Sequence, residues 1–169
     1  MSVSDEIIAY WQQFQKESGI TDSFTGAWAF GDNPELTDEL LALVLMGKKT
    51  GTATLVIELE LDGEKMPDVG DYSVILDGKG QPAGIIRTTS VVVKPFNEVD
   101  EAFAYSEGED DRTLKSWRRE HWKYWTRVGQ KKGFTMKEDL LVICENFELI
   151  YPRNPQYSIC DLLKGSMHA

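Results

Sequence analysis

The sequence predicts an α+β fold, in which a small mixed or antiparallel β-barrel or curled sheet is flanked by helices. Apolar residues recur at helical spacing in some segments and alternate with polar residues in others, without the regular strand-helix-strand rhythm of a parallel sheet. Asp77-Gly78, between two strand patterns, is typical of a hairpin turn. A length of 169 residues suits one well-filled core.

The first half of the chain contains two predicted helices and the first strand patterns. In order, the predicted segments are a helix over 4–18, a loop or short extended piece over 22–30, a helix over 32–47, and strands over 52–61 and 72–76. Gly19 is expected to stop the first helix. Asn33 and Pro34 favour the start of the second, since asparagine caps a first turn and proline fits its first position.

The second half is predicted to carry two strands around two helices. These segments are a strand pattern over 82–94, helices over 97–106 and 110–132, and a strand over 140–151. The apolar run 83–93 is long enough to form either one bent central strand or two strands joined at a bulge. Asn97 is expected to cap the helix that follows it. Residues 152–169 show little periodicity and are predicted to form a tail.

Composition indicates a soluble protein of the cytoplasm. Hydrophobic residues make up 41% of the chain, and no apolar run approaches the roughly 18 residues that span a bilayer. The segment 1–6 lacks the basic and hydrophobic parts of a signal peptide. Cys144 and Cys160 do not form a close-spaced pair, so neither a disulfide nor a zinc site is predicted. We therefore expect no membrane partner, and the sequence does not indicate an oligomeric state.

Charge is unevenly distributed along the chain. The formal net charge of −10 argues against non-specific binding of duplex DNA, because little counterion release is available without a basic face. Residues 97–111 carry seven acidic side chains and no basic one, whereas 113–137 carries eight basic side chains and one acidic. A local positive face is therefore compatible with an acidic protein.

Common cofactor and metal motifs do not fit the sequence. The phosphate-loop pattern G-x-x-x-x-G-K-[ST] does not fit either lysine. If Lys49 is the motif lysine, Lys48 stands where the pattern requires glycine, and if Lys48 is the motif lysine, Lys49 stands where it requires a hydroxyl. The two histidines, His121 and His168, exclude the His-Glu-x-x-His zinc motif. No cofactor and no metal are predicted. His121, which lies between two tryptophans at helical spacing, is either a packing residue or a catalytic base.

The polar segment 47–52, between a helical and a strand pattern, is the best candidate for chemistry. At such a junction a lysine is partly dehydrated, so its pKa can move toward neutrality. The alternative is a solvated turn closed by Gly47 as a helix C-cap. The segment contains lysines and hydroxyl-bearing side chains, which can converge at such a junction.

The chain resembles the ASCH domain family, whose fold is related to the RNA-binding PUA domain. The resemblance covers roughly 28–151 and rests on six short motifs. These are Trp28-Ala29-Phe30-Gly31, Gly47-Lys48-Lys49-Thr50, Val69-Gly70-Asp71-Tyr72, Phe96-Asn97-Glu98-Val99, and Ser106-Glu107-Gly108-Glu109 with the later Trp117-Arg118-Arg119-Glu120-His121. It is most similar to the larger bacterial subgroup. The implied organisation is a helical brace over 1–22, a PUA-like barrel domain over 23–151 and a tail over 152–169.

The resemblance implies an activity and a set of residues. The family pattern G-x-K-x-x-T-x-R places its lysine at Lys49 and its threonine at Thr52, and Thr54 replaces the arginine. Small members of the family are amidohydrolases that deacetylate acetylcytidine, and their glutamate corresponds to Glu107. By this resemblance the catalytic residues are Lys49, Thr52 and Glu107. An ion pair between Lys49 and Glu107 would keep the lysine charged and make it an electrostatic stabiliser rather than a base.

Ligand contacts are expected at Trp28, Arg118, Arg119 and His121. Tryptophans interleaved with basic residues in 117–125 fit base stacking with phosphate contacts, but their helical spacing favours a helix that buries Trp117 and Trp125 in the core. Three functions follow from the resemblance: a metal-free hydrolase of a modified nucleoside, a module that binds RNA or a nucleotide without turnover, and a ribonuclease specific for single strands. The expected partner is a nucleoside or single-stranded RNA.

Overall fold

The computed structural model describes residues 4–152, and that part of the chain contains five α-helices and five β-strands. The helices are α1 (Asp5–Ser18), α2 (Pro34–Leu45), α3 (Val56–Asp62), α4 (Glu101–Glu107) and α5 (Leu114–Lys132). The strands are β1 (Gly26–Trp28), β2 (Gly51–Leu55), β3 (Tyr72–Leu76), β4 (Pro82–Pro95) and β5 (Leu141–Tyr151). Nearly all of the predicted tail, with Cys160 and His168, lies outside the described residues.

The five described strands form one mixed sheet in the order β1-β3-β4-β5-β2. β1 is parallel to β3, whereas β3–β4 and β5–β2 are antiparallel. The order has two ends, so of the two predicted alternatives the strands form an open sheet and not a barrel. The mixed α+β class is confirmed. The apolar run 83–93 lies within the single strand β4, at the centre of the sheet, as one of the two alternatives predicted.

The contacts divide the described residues into two compact units. The first contains 4–46, 71–87 and 149–152, and the second contains 47–70 and 88–148. β4 and β5 therefore contribute residues to both units. The predicted boundaries at 22/23 and 151/152 remain a prediction.

The first unit is built around the apolar face of α1. Ile7, Trp11 and Phe14 lie on that face and pack on Val74 of β3 and Ile85 of β4. The helix begins at Ser4, whose side chain accepts a hydrogen bond from the backbone of Ile7, and ends at Gly19 as predicted.

The second unit packs α4 and α5 on one face of β2 and β5. Its core combines residues of the two strands with four aromatic rings; they include Leu55, Phe96, Phe103, Trp117, Trp125, Val142 and Cys144. Trp125 is fully buried and Trp117 is 5% exposed. The prediction that these tryptophans belong to the core is therefore confirmed.

The segment 52–61 is only partly a strand, which corrects the prediction. β2 ends at Leu55 and the chain enters α3 at Val56. The side chain of Glu58 accepts a hydrogen bond at 3.0 Å from the backbone of Leu55, and this satisfies a donor at the helix start. The alternating Glu and Leu residues after Leu55 are both good helix formers, and they form a helix instead of continuing the strand.

The helices after β4 begin later than predicted. Residues 96–98 form a 3₁₀ turn, and Asp100 rather than Asn97 caps α4 through a 2.9 Å bond from the backbone of Phe103. α5 begins after Thr113, whose hydroxyl accepts from the backbone of Ser116. The boundary is fixed by the left-handed backbone of Asp110 and Arg112, with φ of 51° and 64°.

None of the helices within 4–152 is long and apolar enough to cross a membrane.

Phe14→Ala is expected to destabilise the protein by about 3–5 kcal/mol, because the ring is 2% exposed in the core of the first unit. Ile8→Ala on the same helix is the matched control, since Ile8 is 39% exposed, and its cost should stay within about 0.5 kcal/mol. The free energy of unfolding from urea titrations measures both. Equal losses would contradict the packing of α1.

Candidate functional site

The ammonium group of Lys49 is buried between two carboxylates. Its Nζ lies 3.2 Å from Oε1 of Glu107 and 2.8 Å from Oε2 of Glu109. The backbone carbonyl of Glu107 lies 3.5 Å from the same nitrogen. The Lys49 and Glu107 side chains are 1% and 2% exposed, whereas that of Glu109 is 31% exposed. Lys49 and Glu107, which the sequence analysis assigned to one site, are therefore in contact, and Glu109 lies on the more exposed side of the lysine.

Glu107 is held by two further groups from α5. Its Oε2 accepts a hydrogen bond from the Trp117 indole and lies 3.0 Å from Nε2 of His121. The His121 ring stacks on Trp117 with centroids 4.2 Å apart, and its Nδ1 lies 2.9 Å from the Trp117 carbonyl. Both carboxylate oxygens of Glu107 are thus engaged.

The charges in this cluster hold one another ionised. Burial lowers the pKa of Lys49, but the Glu107 and Glu109 carboxylates outweigh it and the net change is upward. Burial raises the pKa of Glu107, but His121 and Lys49 outweigh it and the net change is downward. Burial likewise lowers the pKa of His121, and Glu107 reverses that effect and raises it. Lys49 is therefore a charged group at neutral pH and not a free base.

The backbone places the two segments of the cluster side by side. The Thr50 amide donates to the Ser106 carbonyl at 2.7 Å, where α4 ends. Gly108, with φ of 70°, brings the chain so close that a Cβ there would lie 2.4 Å from the Lys48 carbonyl oxygen. The Arg112 guanidinium donates to that same oxygen at 3.3 Å. The loop after α2 is thus fixed to the loop after α4.

The side chain of Thr52 lies on the face of β2 that is opposite to the core of the second unit. In β2, Ala53 and Leu55 pack in the core of the second unit, and side chains alternate along a strand. Thr52 therefore faces the other way, and its partner in the ladder is Glu145 of β5. The structure brings Lys49 and Glu107 into contact and places Thr52 beside Glu145, and the catalytic role of Thr52 remains a prediction.

The predicted ligand-binding residues have different surroundings. Arg118 donates to the carbonyls of Asn97 and Val99, at 3.1 and 3.3 Å, and so braces the backbone before α4. Arg119 is half exposed and pairs with Asp110 and Glu120.

Trp28 belongs to the first unit, where its ring packs edge-on against Phe30 with centroids 4.8 Å apart. His121 is the one of these four residues that contacts Glu107.

Sequence reasoning missed Glu109 as a partner of Lys49. The Glu107-Gly108-Glu109 spacing was the available signal, because a left-handed glycine between two glutamates turns both toward one neighbour. It also missed the Thr88–Glu145 pair, in which the Thr88 hydroxyl donates to Oε2 of Glu145 at 2.7 Å. Thr88 and Glu145 lie 57 positions apart in the sequence, and Glu145 lies 93 positions after Thr52, so no local motif signals the pair.

Among the described residues, one group has side-chain donor atoms close enough together to be considered as metal ligands. It consists of Glu107, Glu109 and His121, whose donor atoms lie within 4.8 Å of one another. The Lys49 ammonium contacts both carboxylates, and its charge opposes a cation in the same place. The contacts therefore favour an ion-pair cluster over a metal centre.

A separate cavity of about 230 Å³ lies on the face of β5 that carries Cys144 and Asn146. Phe103 contributes an apolar wall, and Lys94 and Asp100 line its polar side. Burial raises the pKa of the Cys144 thiol to about 12, so this cysteine is protonated and is not a nucleophile.

The fold and the charge cluster together define a class of protein: an α+β domain with an open mixed sheet and a buried lysine between carboxylates at a helix-to-strand junction. The family model described as the ASCH domain matches residues 26–151. The chain belongs to the ASCH domain family, and the suspected resemblance is confirmed.

Two crystal structures are similar to the chain. A protein of Enterococcus faecalis, assigned to the DUF984 family, is 34% identical, with a TM-score of 0.79 over 86% of this chain and 88% of that one. An ASCH domain from Lactobacillus crispatus is 28% identical, with a TM-score of 0.81 over 90% of this chain and 98% of that one. No curated protein shows significant similarity to the chain.

Gly108→Ala is expected to cost more stability than Gly19→Ala, although both glycines follow a helix with similar positive φ. At Gly19 no atom lies within 4 Å of an added Cβ, so only the left-handed backbone counts, about 1–2 kcal/mol. At Gly108 the clash with the Lys48 carbonyl should add about 1–3 kcal/mol. Urea unfolding measures both, and equal costs would argue against the close approach of the two loops.

The imidazole pKa of His121 is expected above its ordinary value of about 6.5, because Glu107 stabilises the charged ring. The stability that this pair contributes is then fully present below about pH 6.5 and is lost as the pH rises through the folded-state pKa. NMR titration of the ring resonances measures it, with His121→Gln for assignment. Glu107→Gln should lower the pKa and Glu120→Gln, an exposed control on α5, should not; a wild-type pKa at or below 6.5 would refute the pairing.

Proposed function

We propose that the chain is a hydrolase of a modified nucleoside that carries an acetylcytidine-type amide. The observation that supports this most is the buried Lys49 ammonium, whose outer carboxylate, Glu109, is still partly exposed. Perturbed, charged groups that are buried but reachable from one side are typical of active sites. Membership of the ASCH family agrees with the proposal, because small members deacetylate acetylcytidine.

Amide hydrolysis requires a nucleophile, a proton acceptor and a positive or hydrogen-bonding group for the oxyanion. Lys49 is suited to the last of these roles, since its neighbours raise its pKa and keep it charged. A substrate oxygen reaches it by replacing Glu109, which is the more exposed of its two carboxylate partners. Charge stabilisation of this kind contributes about 10²–10³ in rate.

Glu107 is suited to holding Lys49 and not to shuttling protons. Its oxygens accept from Lys49, Trp117 and His121, and its pKa is lowered. A carboxylate in that state has little tendency to take up a proton at neutral pH. Its role in the proposed reaction is therefore electrostatic.

A second candidate is a module that binds RNA or a nucleotide without turnover. It is favoured by the outer face of α5, where Trp122 is 40% exposed and the side chains of Arg119 and Lys123 are 50% and 62% exposed. An exposed ring between cations fits stacking on a base with phosphate contacts, about 1–3 kcal/mol per base.

Deacetylation of acetylcytidine by the purified chain, followed by liquid chromatography, tests the hydrolase proposal. Lys49→Ala is expected to lower the rate at least about 100-fold, because the oxyanion loses its charge partner. Lys48→Ala is the matched control, since Lys48 is the adjacent lysine in the chain and is not a member of the ion pairs of Lys49, and should stay within about threefold. Thermal melts confirm that the variants are folded. Absence of product with wild type, or full activity in Lys49→Ala, sinks the proposal.

RNA binding separates the second candidate from the first. Single-stranded oligonucleotides that bind without being consumed, with an affinity that falls as salt rises, would favour the binding module. Arg119→Ala with Lys123→Ala should then weaken binding, whereas Lys137→Ala, a basic control after α5, should not. Cleavage of the oligonucleotide, with duplex spared, would instead indicate the ribonuclease that the family resemblance also allows.

A further inference from the structure

The cavity on the face of β5 that carries Asn146 lies within the second unit, and no member of the Lys49 cluster lines it. Its walls come from β4, from α4 with its cap Asp100, and from β5. Solvent reaches it where Val92 is 46% exposed and the side chains of Lys94 and Asp100 are 29% and 58% exposed. Its volume of about 230 Å³ equals that of about eight water molecules, so it accommodates a single ring with its substituents.

The side-chain amide of Asn146 has a fixed orientation in the wall of this cavity. Its Nδ2 donates to the carbonyl oxygen of Thr50 at 3.1 Å and to the hydroxyl of Ser106 at 2.9 Å. A backbone carbonyl only accepts, so the contact with Thr50 decides which end of the amide is the nitrogen. Both amide hydrogens are then engaged, and Oδ1 is the atom of Asn146 that can accept a hydrogen bond from a ligand.

The residues around Asn146 form this wall before any ligand arrives. A Cβ at Gly51 would lie 2.6 Å from Oγ of Ser106 and 3.0 Å from Nδ2 of Asn146, so the glycine allows the two side chains to meet. The Ser106 hydroxyl donates to the Phe103 carbonyl at 2.7 Å, which leaves it as an acceptor for Asn146. A ligand therefore meets a preformed acceptor, and preformed sites lose less entropy on binding.

The two charged residues of the cavity balance each other. Nζ of Lys94 lies 3.3 Å from Oδ2 of Asp100, whose Oδ1 accepts from the backbone of Phe103 at 2.9 Å. Because the pair has no net charge, the cavity favours a neutral ligand over an anion or a cation. The ammonium has three N–H groups and this contact uses one, so Lys94 can also donate to a ligand carbonyl.

A neutral single ring with both an N–H group and a carbonyl group is complementary to this cavity. The N–H group matches Oδ1 of Asn146, and the carbonyl matches the ammonium of Lys94. The ring itself matches the apolar surfaces of Val92, Phe103 and Cys144. Pyrimidine bases combine these properties, since cytosine and uracil are flat, neutral and small and carry both kinds of group.

We propose that this cavity binds the ring of a pyrimidine base, with Asn146 accepting from an N–H group and Lys94 donating to a carbonyl. The choice of a nucleobase among neutral rings rests on the proposed nucleoside function. The proposal deepens that function, because it assigns recognition of the base to residues outside the Lys49 cluster. A cavity that holds water alone is the alternative.

Titration of the purified chain with cytosine and with uracil, followed by ¹H–¹⁵N NMR, tests the proposal. At least one base should bind with a dissociation constant of about 1 mM or tighter, within reach of a well-fitted ligand of this size. The side-chain amide signals of Asn146 should shift on binding. Pyrimidine, the parent ring without N–H or carbonyl groups, should bind at least about threefold more weakly, since the hydrogen bonds are lost. No binding of either base, or equal binding of pyrimidine, refutes the proposal.

Val92 and Val93 provide a matched pair of variants that locates the ligand. Both lie on β4 and are exposed, at 46% and 41%, so the fold tolerates a larger side chain at either position. Adjacent residues of a strand point to opposite faces, and of the two it is Val92 that lines the cavity. Val92→Phe should weaken binding of the base at least about tenfold by occupying its space, and Val93→Phe should leave it within about twofold. Equal affinities in the two variants would place the ligand elsewhere.

Lys94→Met tests the hydrogen bond without touching the core. Methionine keeps most of the apolar stem and removes the ammonium, so the base should bind about 3–10-fold more weakly. Binding of pyrimidine, which has no carbonyl, should not change. A variant that weakens both ligands equally, or neither, contradicts the role of Lys94.

Deacetylation assays on the same variants separate this proposal from the hydrolase proposal. If the chain does not deacetylate acetylcytidine but binds the base in a way that Val92→Phe abolishes, the hydrolase is wrong and the pocket is supported. If wild type deacetylates acetylcytidine and Val92→Phe has the same KM, the hydrolase stands and recognition of the base by this cavity is refuted. A raised KM in Val92→Phe, with Val93→Phe unchanged, supports both.

Discussion

The ion pairs of Lys49 are the constraint on which the second unit depends. They join the loop after α2 to the end of α4, across 58 and 60 residues of chain, inside a region where the Lys49 and Glu107 side chains have almost no contact with solvent. Removing one partner of a buried pair typically costs about 3–5 kcal/mol, because the remaining charge is left without compensation. The packing of β2, α4 and α5 against one another therefore depends on the Lys49 ammonium group.

The same contacts decide what chemistry these residues can perform. Lys49, which lies between two carboxylates, provides a positive charge. Glu107, which accepts from three donors, stabilises that charge. In the proposed hydrolase, proton transfer then comes from groups outside the cluster. Thr52 and Glu145 oppose each other on the other face of β2 and β5, and Thr52 follows Lys49 by three residues.

The sequence predicted elements whose signals are local. α1 and α2 were found because a capping side chain, an apolar stripe and a stop residue lie within one stretch, and the contact of Lys49 with Glu107 followed from the family motifs. The strand predicted over 52–61 failed because Glu58 bonds the backbone of Leu55, a contact that alternation does not register. The Thr88–Glu145 pair spans 57 residues and depends on sheet register, which no single segment encodes.

The turn between α4 and α5 explains why Glu109 reaches Lys49 at all. Asp110 and Arg112 follow it in the left-handed region, which costs a non-glycine residue about 1–2 kcal/mol each. Arg112 offsets this, since its guanidinium donates to the carbonyls of Tyr105 and Lys48 and covers the Tyr105 ring at 3.6 Å. A strained turn that several contacts hold in place is typical of a functional site. It keeps one carboxylate at the solvent edge of a cluster whose other members are buried, and this is the side from which a ligand can approach the lysine.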